Sequence, residues 1–333
     1  MNLNNKRLLI TCGGALGDML VYTPALRSIK EKYPQCKLTF MTKYGNHEVL
    51  EGLSYIDKVI YIERGKFMGR YRVLPHFLHQ DIVIFTDWQP QLLLFSKLFG
   101  IPIRAGISKS GHKLNKYLTK QLQTNVFKSS QYAGRTDADL FEEALDIKLA
   151  GDMIKLDVSV PNQMVSSEVD IMLRNIGVKG DYILLSPFAG LEERNLPLDT
   201  AKVLVRKIEN KYGFPVVVMG PKIKEQVAKK ISSYSLAGKT STMQMVELIR
   251  RSKCLITPDS GPMHVAGALG TECIALFSKD VPSRWAPKTK CKVIYLNMEC
   301  SPCDDETARK CKDVACMKNI TDEMILDKLG CIF

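Results

Sequence analysis

Three segments of the sequence combine glycine, proline and polar residues in the way that anion-binding turns do. They are residues 13–18 (GGALGD), residues 186–190 (SPFAG) with the nearby Arg194, and residues 257–270 (TPDSGPMHVAGALG). Each follows an apolar run typical of a buried strand and precedes a stretch that favours a helix. Glycine lets the backbone approach a ligand closely, and the N–H groups at a helix start attract negative charge. These segments therefore indicate phosphate binding, with carboxylates that can move a proton.

The first segment ends in Asp18, whose carboxylate has two interpretations. The pattern G-G-x-x-G-D matches neither the G-x-G-x-x-G of dinucleotide sites nor a phosphate-binding loop with its lysine, which disfavours a nicotinamide-dependent oxidoreductase. At the start of a helix, Asp18 would stabilise that helix by ~0.5–2 kcal/mol. Facing a cleft, it would instead take the proton from an acceptor hydroxyl. Spacing alone favours the capping interpretation.

The third segment carries side chains suited to a nucleotide. Asp259, Ser260 and the N–H groups of the helix start would hold ribose hydroxyls and a diphosphate, and His264 would neutralise phosphate charge. The alternative is an ordinary capped turn with a packed His264, but the density of polar residues favours a ligand site. In the second segment Arg194 would clamp a departing diphosphate, or it is a solvated surface arginine. The sequence does not decide between these two interpretations of Arg194.

Four cysteines near the C-terminus have spacing that suits a metal. Cys300, Cys303, Cys311 and Cys316 lie within 17 residues, and the first two form a C-x-x-C. Four thiolates can close tetrahedrally around zinc or iron, and such a site would be structural because no position stays open for substrate. Free thiols or disulfides are the alternatives. No catalytic cofactor is indicated.

Composition and charge limit the classes of function. The 333 residues include 47 Lys and Arg against 35 Asp and Glu, a formal net charge of +12. This charge suits an ordinary basic surface, or an anionic partner such as a nucleotide diphosphate, a phosphorylated glycolipid, a membrane face or nucleic acid. No known nucleic-acid module is found. Residues 1–6 are polar, and no apolar run approaches the ~20 residues of a membrane span. We therefore expect a cytoplasmic protein that is at most peripheral to a membrane.

Apolar runs alternate with amphipathic ones, which predicts βα units and parallel sheets. Strands are predicted at 8–10, 38–41, 59–62, 82–85, 182–185, 214–219, 254–256 and 273–277. Helices are predicted at 18–32, 89–99, 137–146, 197–211, 243–251, 262–269 and 323–329. Residues 157–164 (DVSVPNQM) are typical of a linker. The prediction is two Rossmann-like domains, 1–160 and 161–333, that face each other across a cleft at the carboxyl ends of their strands.

Three blocks together resemble glycosyltransferase family 9, the ADP-heptose:lipopolysaccharide heptosyltransferases and their relatives. Residues 13–34 (GGALGDMLVYTPALRSIKEKYP) resemble the G-D-x4-T-P-x-L-R-x-I-K block of the family. Residues 257–277 (TPDSGPMHVAGALGTECIALF) resemble its D-[ST]-G-x-x-H-x-A-x-A-L-G block. The cysteine-rich tail followed by ITDEMI is similar to the end of many members. The blocks span nearly the whole chain, and their order is more specific than any one of them.

The resemblance implies a GT-B fold and an inverting sugar transfer without a catalytic metal. The N-terminal domain, 1–160, would bind an anionic glycan or glycolipid acceptor. The C-terminal domain, 161–333, with its tail 300–316 and final helix, would bind a nucleotide diphosphate sugar, an ADP-sugar being favoured. Asp18 matches the proposed general base of the family, which reverses the preference drawn from spacing.

Other residues acquire roles by the same resemblance. Arg194 would offset the charge that builds on the leaving diphosphate. Asp87 and Gln89, in the segment DWQPQ, would face the acceptor. The residues that would contact the donor are Gly14, Gly17, Ser186, Asp259, Ser260, Gly261 and His264. The usual K-x-W-P of the family reads RNLP at 194–197, so its stacking tryptophan is absent and the donor sugar is left open.

Two alternatives to transfer onto a cell-envelope glycan stay open. The same chemistry on a nucleic-acid base or a protein side chain would also suit the positive charge, and a nucleic-acid acceptor predicts steep loss of binding with added salt. A nucleotide-sugar-binding protein without turnover is a different class. Release of nucleotide from a sugar donor would exclude that class.

Overall fold

The computed structural model describes residues 1–42, 45–62, 71–123 and 130–333. The chain divides into two compact units, Met1–Ser159 and Val160–Phe333. Each unit contains one parallel β-sheet. Within the described ranges no helix combines the length and apolar character needed to cross a membrane. The acceptor and donor roles of the two parts of the chain stay predictions.

The first unit is built on a parallel sheet of six described strands. The strands are β1 (Arg7–Cys12), β2 (Lys37–Thr42), β3 (Lys58–Tyr61), β4 (Ile82–Phe85), β5 (Ile103–Ile107) and β6 (Lys120–Leu122). The helices are α1 (Leu16–Val21), α2 (Thr23–Lys32), α3 (Glu48–Glu51), α4 (Pro90–Leu98) and α5 (Ala133–Leu145), with 3₁₀ turns at Tyr71–Phe77 and Lys113–Tyr117. The strand order is β3-β2-β1-β4-β5-β6. The winding therefore reverses between β1 and β4, and in open α/β sheets the carboxyl ends at such a point are where ligands bind.

The helix predicted at 18–32 is two helices, α1 and α2, which meet at Tyr22. Pro24 lacks the N–H that would bond the Leu20 carbonyl in a continuous helix. The Thr23 hydroxyl donates to that carbonyl instead, at 2.6 Å. The apolar periodicity continues across the break, which is why the sequence predicted one helix.

The second unit is built on a parallel sheet of five strands. They are β7 (Ile183–Leu185), β8 (Val216–Val218), β9 (Cys254–Pro258), β10 (Cys273–Phe277) and β11 (Cys291–Tyr295). The helices are α6 (Gln163–Asn175), α7 (Leu198–Tyr212), α8 (Glu225–Ile231), α9 (Thr242–Arg251), α10 (Gly261–Leu269), α11 (Pro282–Trp285), α12 (Asp305–Lys310), α13 (Ala315–Lys318) and α14 (Asp322–Gly330), with 3₁₀ turns at Glu192–Arg194 and Lys222–Lys224. The strand order is β11-β10-β9-β7-β8. Here the winding reverses between β7 and β9.

The predicted α/β class is observed, and the predicted strands and helices are present with ends shifted by a few residues. Nine strands and helices of the described residues had no sequence prediction: β5, β6, β11, α3, α6, α8, α11, α12 and α13. The edge strand β6 has the sequence KQL, which has no apolar run. Helix α6 has only Val169 and Leu173 buried among its 13 residues, so its apolar stripe is narrow.

Candidate functional site

Asp18 lies in the first turn of α1, just after the carboxyl end of β1. The helix begins at Leu16, so Ala15 is the N-cap and Asp18 the third helical residue. The Asp18 carboxylate accepts the Ala15 N–H at 2.7 Å, the contact that the third residue supplies in a capping box. A Cβ on Gly14 would lie 2.6 Å from Asp18 Oδ2, so a side chain at that position would displace the carboxylate. Asp18 is partly exposed, and the contact that the structure shows stabilises the start of α1. The role of base stays a prediction.

Asp87 joins the ends of β1 and β4, where the winding of the first sheet reverses. Its Oδ1 accepts the Gly13 N–H at 2.9 Å and also the side-chain amide of the buried Gln89. A Cβ on Gly13 would lie 2.1 Å from Asp87 Oδ2, so only glycine fits against this carboxylate. Asp87 and Gln89 therefore hold the loop that leads into α1, whose second residue is the partly exposed Gly17. Their contact with an acceptor stays a prediction.

Arg194 connects three strand ends in the second unit. Its Nη1 lies 3.2 Å from Asp259 Oδ2, after β9, and its Nη2 lies 2.8 Å from Asp280 Oδ2, after β10. Arg194 itself follows β7 in a 3₁₀ turn. Ser186, at the end of β7, is buried, and its N–H donates to the Ile256 carbonyl of β9 at 2.9 Å. Arg194 is thus an ion-paired residue at the reversal point, not the solvated surface arginine of the alternative interpretation.

The charge of this cluster is nearly balanced. Burial raises the pKa of Asp259 to about 7. The positive charge of Arg194 opposes this increase, and the negative charge of Asp280 adds to it. Lys279 is buried and its Nζ lies 3.2 Å from Asp280 Oδ1. An incoming anion can take the place of a carboxyl group beside one of the two cations, because a buried charge requires a partner of opposite sign.

Ser260 and Gly261 form the entry to α10. Ser260 is the N-cap residue in extended conformation, and Gly261 is the first helical residue. The Ser260 hydroxyl contacts Thr257 Oγ1 and the Pro258 carbonyl, each at 3.1 Å, and makes no side-chain capping bond to the helix. The positive end of the α10 dipole therefore points out of this turn, where an anion is stabilised.

His264 lies in α10 and is 4% exposed. Its ring packs edge-on against Trp285, with 6.3 Å between ring centroids. Burial lowers the pKa of His264 to about 4, and its Nδ1 has no hydrogen-bond partner among the described residues. Burial therefore favours the neutral imidazole, and the expectation that His264 neutralises phosphate charge stays a prediction. The imidazole can contribute a ring N–H or a packing surface.

The matches to known proteins agree with this architecture. The model of glycosyltransferase family 9 (heptosyltransferase) matches residues 82–312. The chain belongs to glycosyltransferase family 9. A lipopolysaccharide core heptosyltransferase of Haemophilus influenzae is 21% identical over 299 residues, which are 85% of this chain and 82% of that protein.

Solved structures of family 9 proteins share the fold. A family 9 glycosyl transferase from Veillonella parvula has a TM-score of 0.85 at 18% identity and covers 100% of this chain and 98% of that one. The Escherichia coli ADP-heptose lipopolysaccharide heptosyltransferase II has a TM-score of 0.75 at 21% identity, with 98% of each chain covered. The predicted GT-B type of fold, with two Rossmann-like units, is confirmed, and this family 9 chain is a glycosyltransferase.

Two residues of the cluster around Arg194 and His264 in this family 9 chain were missed by the sequence analysis. Asp280 follows the carboxyl end of β10, beside β9, and pairs with Arg194. Trp285 contacts His264 and is covered by the Arg284 guanidinium, 4.6 Å above its ring. The position of Asp280 directly after a predicted strand was a usable signal. Nothing in the local sequence pointed Trp285 towards His264.

The four cysteines of the tail do not form a metal-binding group in the described part of the chain. Burial raises the pKa of Cys316, and the thiol groups of the other three cysteines raise it further. All four are described, and among the described residues no three His, Cys, Asp or Glu side chains come together as metal ligands. The structure therefore does not support the predicted zinc or iron. The tail instead contacts the loop after β10, where the Cys303 N–H donates to the Lys279 carbonyl at 3.0 Å.

Proposed function

We propose that this enzyme transfers a heptose-like sugar from an ADP-sugar to a lipopolysaccharide-core acceptor, with inversion at the anomeric carbon and without a catalytic cofactor. The observation that carries the proposal is the chemistry at the two reversal points. The first unit has a carboxylate there, Asp18, and the second has an arginine among carboxyl groups beside a helix N-terminus. The names of the relatives, which are lipopolysaccharide heptosyltransferases, support the sugar and the acceptor class.

The proposed reaction begins with proton removal by Asp18. Its carboxylate takes the proton of an acceptor hydroxyl while that oxygen forms a bond to the anomeric carbon of the donor. The bond from this carbon to the diphosphate breaks, and its electron pair leaves with the diphosphate oxygen. Attack from the face opposite the diphosphate inverts the configuration.

The second unit supplies the stabilisation of the leaving group. Arg194 is the cation proposed to meet the diphosphate, and the α10 N-terminus adds the positive end of a helix dipole. The diphosphate would replace Asp259 and Asp280 as the ion-pair partner of the guanidinium. The neutral His264 would act as a hydrogen-bond donor or packing surface next to Trp285.

The proposal is tested with Asp18→Asn. The amide keeps the size of the side chain but cannot accept the proton, so turnover should fall by about 10²–10⁴. ADP affinity, measured by calorimetry, should stay within about twofold. Asp199→Asn is the matched control, since Asp199 is an exposed first-turn carboxylate of α7. Retained turnover in Asp18→Asn would remove this carboxylate from the mechanism.

A product assay distinguishes sugar transfer from binding without turnover. Wild-type enzyme is incubated with a panel of nucleotide sugars and with core oligosaccharide, and mass spectrometry follows both nucleotide and glycan. We expect ADP release together with a mass increase of one sugar on the glycan. If an ADP-sugar binds but stays intact with every acceptor, the chain is a nucleotide-sugar-binding protein without turnover.

A further inference from the structure

Residues 88–136 form a long stretch without acidic residues. These 49 positions contain no Asp or Glu and eight Lys or Arg, whereas the whole chain has 35 acidic residues. The stretch includes α4, β5, the 3₁₀ turn Lys113–Tyr117 and β6. Such a run concentrates positive charge in one part of the first unit and favours an anionic partner.

Four lysines of this stretch are exposed and have no ion pair among the described residues. They are Lys97, Lys109, Lys113 and Lys116. Two other basic residues of the stretch have acidic partners: Lys120 pairs with Asp146, and Arg135 pairs with Asp139. Among the described residues of the stretch, the exposed lysines without an ion pair are therefore confined to α4 and to the segment at 109–116.

Large apolar side chains are exposed beside these lysines. On α4 and its C-terminal end they are Leu94 at 37%, Leu98 at 72% and Phe99 at 38%. Leu78, at 47%, follows the turn Tyr71–Phe77. The Phe77 ring stacks on Phe99, with 6.4 Å between centroids, so Leu78 and Phe99 belong to neighbouring segments.

The exposed lysines and apolar side chains belong to segments that pack on one another. Helix α4 contacts both the turn Tyr71–Phe77 and the turn Lys113–Tyr117. The same apolar cluster holds Leu93 of α4 and, packed against it, Leu114. Helix α4 begins at Pro90, directly after the residues predicted to face the acceptor. We call this basic and apolar region the α4 surface.

We propose that the α4 surface docks the enzyme on an anionic lipid bilayer. Apolar side chains that protrude from a basic surface enter the interface between headgroups and acyl chains, while lysines attract anionic headgroups. Charge complementarity selects this partner, because the region has cations without acidic neighbours in its sequence. The inference rests on the proposed function in one respect, since a lipid-anchored glycan acceptor would lie at such a bilayer.

The test is co-sedimentation of the full chain with vesicles. One set is pure phosphatidylcholine, and in the other about a third of the lipid is phosphatidylglycerol. We expect binding to the anionic vesicles only, weakened by added salt. Lys113→Gln with Lys116→Gln should lower the partition coefficient by about fivefold per lysine. Leu98→Gln should lower it by roughly tenfold.

Matched variants in the second unit control for charge and polarity. Lys179→Gln with Lys230→Gln removes two exposed lysines, and Ile223→Gln replaces an apolar side chain that is 87% exposed. These variants should bind anionic vesicles as the wild type does. Equal losses in both sets, or absence of binding at low salt, would overturn the proposal. Concentration-dependent self-association that Leu98→Gln abolishes would make the partner a second copy and also overturn it.

Failure of the docking proposal and failure of the proposed function give different results. With a lipid-free core oligosaccharide, Leu98→Gln should turn over at the wild-type rate, and with acceptor in anionic vesicles it should be roughly tenfold slower. Vesicle binding without any sugar transfer would contradict the proposed function alone. Transfer with normal rates on both acceptors would contradict the docking proposal alone.

Discussion

Two buried residues of the second unit show how burial decides charge. Asp259 and His264 lie five positions apart on the same strand-to-helix turn. Burial raises the pKa of Asp259 and lowers that of His264, because a low-dielectric environment disfavours the charged form of either group. Burial therefore favours fewer charges on this turn at neutral pH than its sequence suggests, and Arg194 is the cation that we propose to meet the diphosphate.

We predict that His264 makes folding stability depend on pH. The unfolded chain binds a proton at this imidazole below its ordinary pKa of 6.5, and the folded chain only below about 4. Stability is therefore lost as the pH falls from 6.5 towards 4, by about 2 kcal/mol at pH 5. His264→Gln lacks this proton, so the difference in unfolding free energy between wild type and variant should shrink by that amount from pH 7 to pH 5.

Urea unfolding at the two pH values measures this difference. His79→Gln is the control, since His79 is exposed. A difference between wild type and His264→Gln that stays constant over this range would show that the imidazole is not held neutral by the fold.

Close backbone packing at strand ends fixes the two candidate loops. In the first unit Gly13 packs against Asp87, and in the second Gly220 packs against Phe188. A Cβ on Gly220 would lie 2.5 Å from the Phe188 ring, which is 9% exposed and belongs to the apolar core of its unit. Since Phe188 follows Ser186 by two residues, a displaced ring moves the loop predicted to meet the donor.

We expect Gly220→Ala to lower the free energy of unfolding by about 1–3 kcal/mol, as overpacking of a core does. ADP affinity should fall with it, because the loop at 186–190 shifts. Gly190→Ala in the same loop is the control: its added Cβ has no atom within 4 Å, so both quantities should change little. Equal behaviour of the two variants, measured by urea unfolding and calorimetry, would contradict this account.

The two units differ in sheet order, although both are parallel α/β units. The first has the order β3-β2-β1-β4-β5-β6 and the second β11-β10-β9-β7-β8. Each has one reversal point. The predicted acceptor residues lie at the first, and the predicted donor residues lie at the second, apart from Gly14 and Gly17, which lie at the first. The proposed division of labour therefore assigns most of the nucleotide contacts to residues of the second unit.

We predict that ADP protects backbone amides of the second unit from hydrogen exchange. Protection should appear at 186–190 and at 259–264, since these loops end β7 and β9. It should be smaller at 13–17, which holds only two of the predicted donor contacts, Gly14 and Gly17. Mass spectrometry with and without saturating ADP measures this, and the same concentration of inorganic phosphate is the control. Protection confined to 13–17 would exchange the roles of the two units.

The sequence by itself determined the succession of βα units and the residues at the strand ends. Apolar runs, glycines and helix-start residues are local signals, so the loops with Asp18, Ser186 and Asp259 were found without a structure. The helix over 18–32 was predicted as continuous because periodicity does not detect that Pro24 removes one hydrogen bond. Helix α6 was missed because few of its residues are buried.

Only the tertiary structure decided which of these residues meet and in which charge state. Arg194 and Asp259 are 65 residues apart in sequence, and their ion pair depends on the strand order, which no local pattern contains. The contact of His264 with Trp285 and the burial that keeps the imidazole neutral likewise arise from packing of distant segments. Spacing suggested a metal at the four cysteines, whereas the fold distributes them around two short helices. Side-chain identity is local, but dielectric environment and pairing are properties of the packed chain.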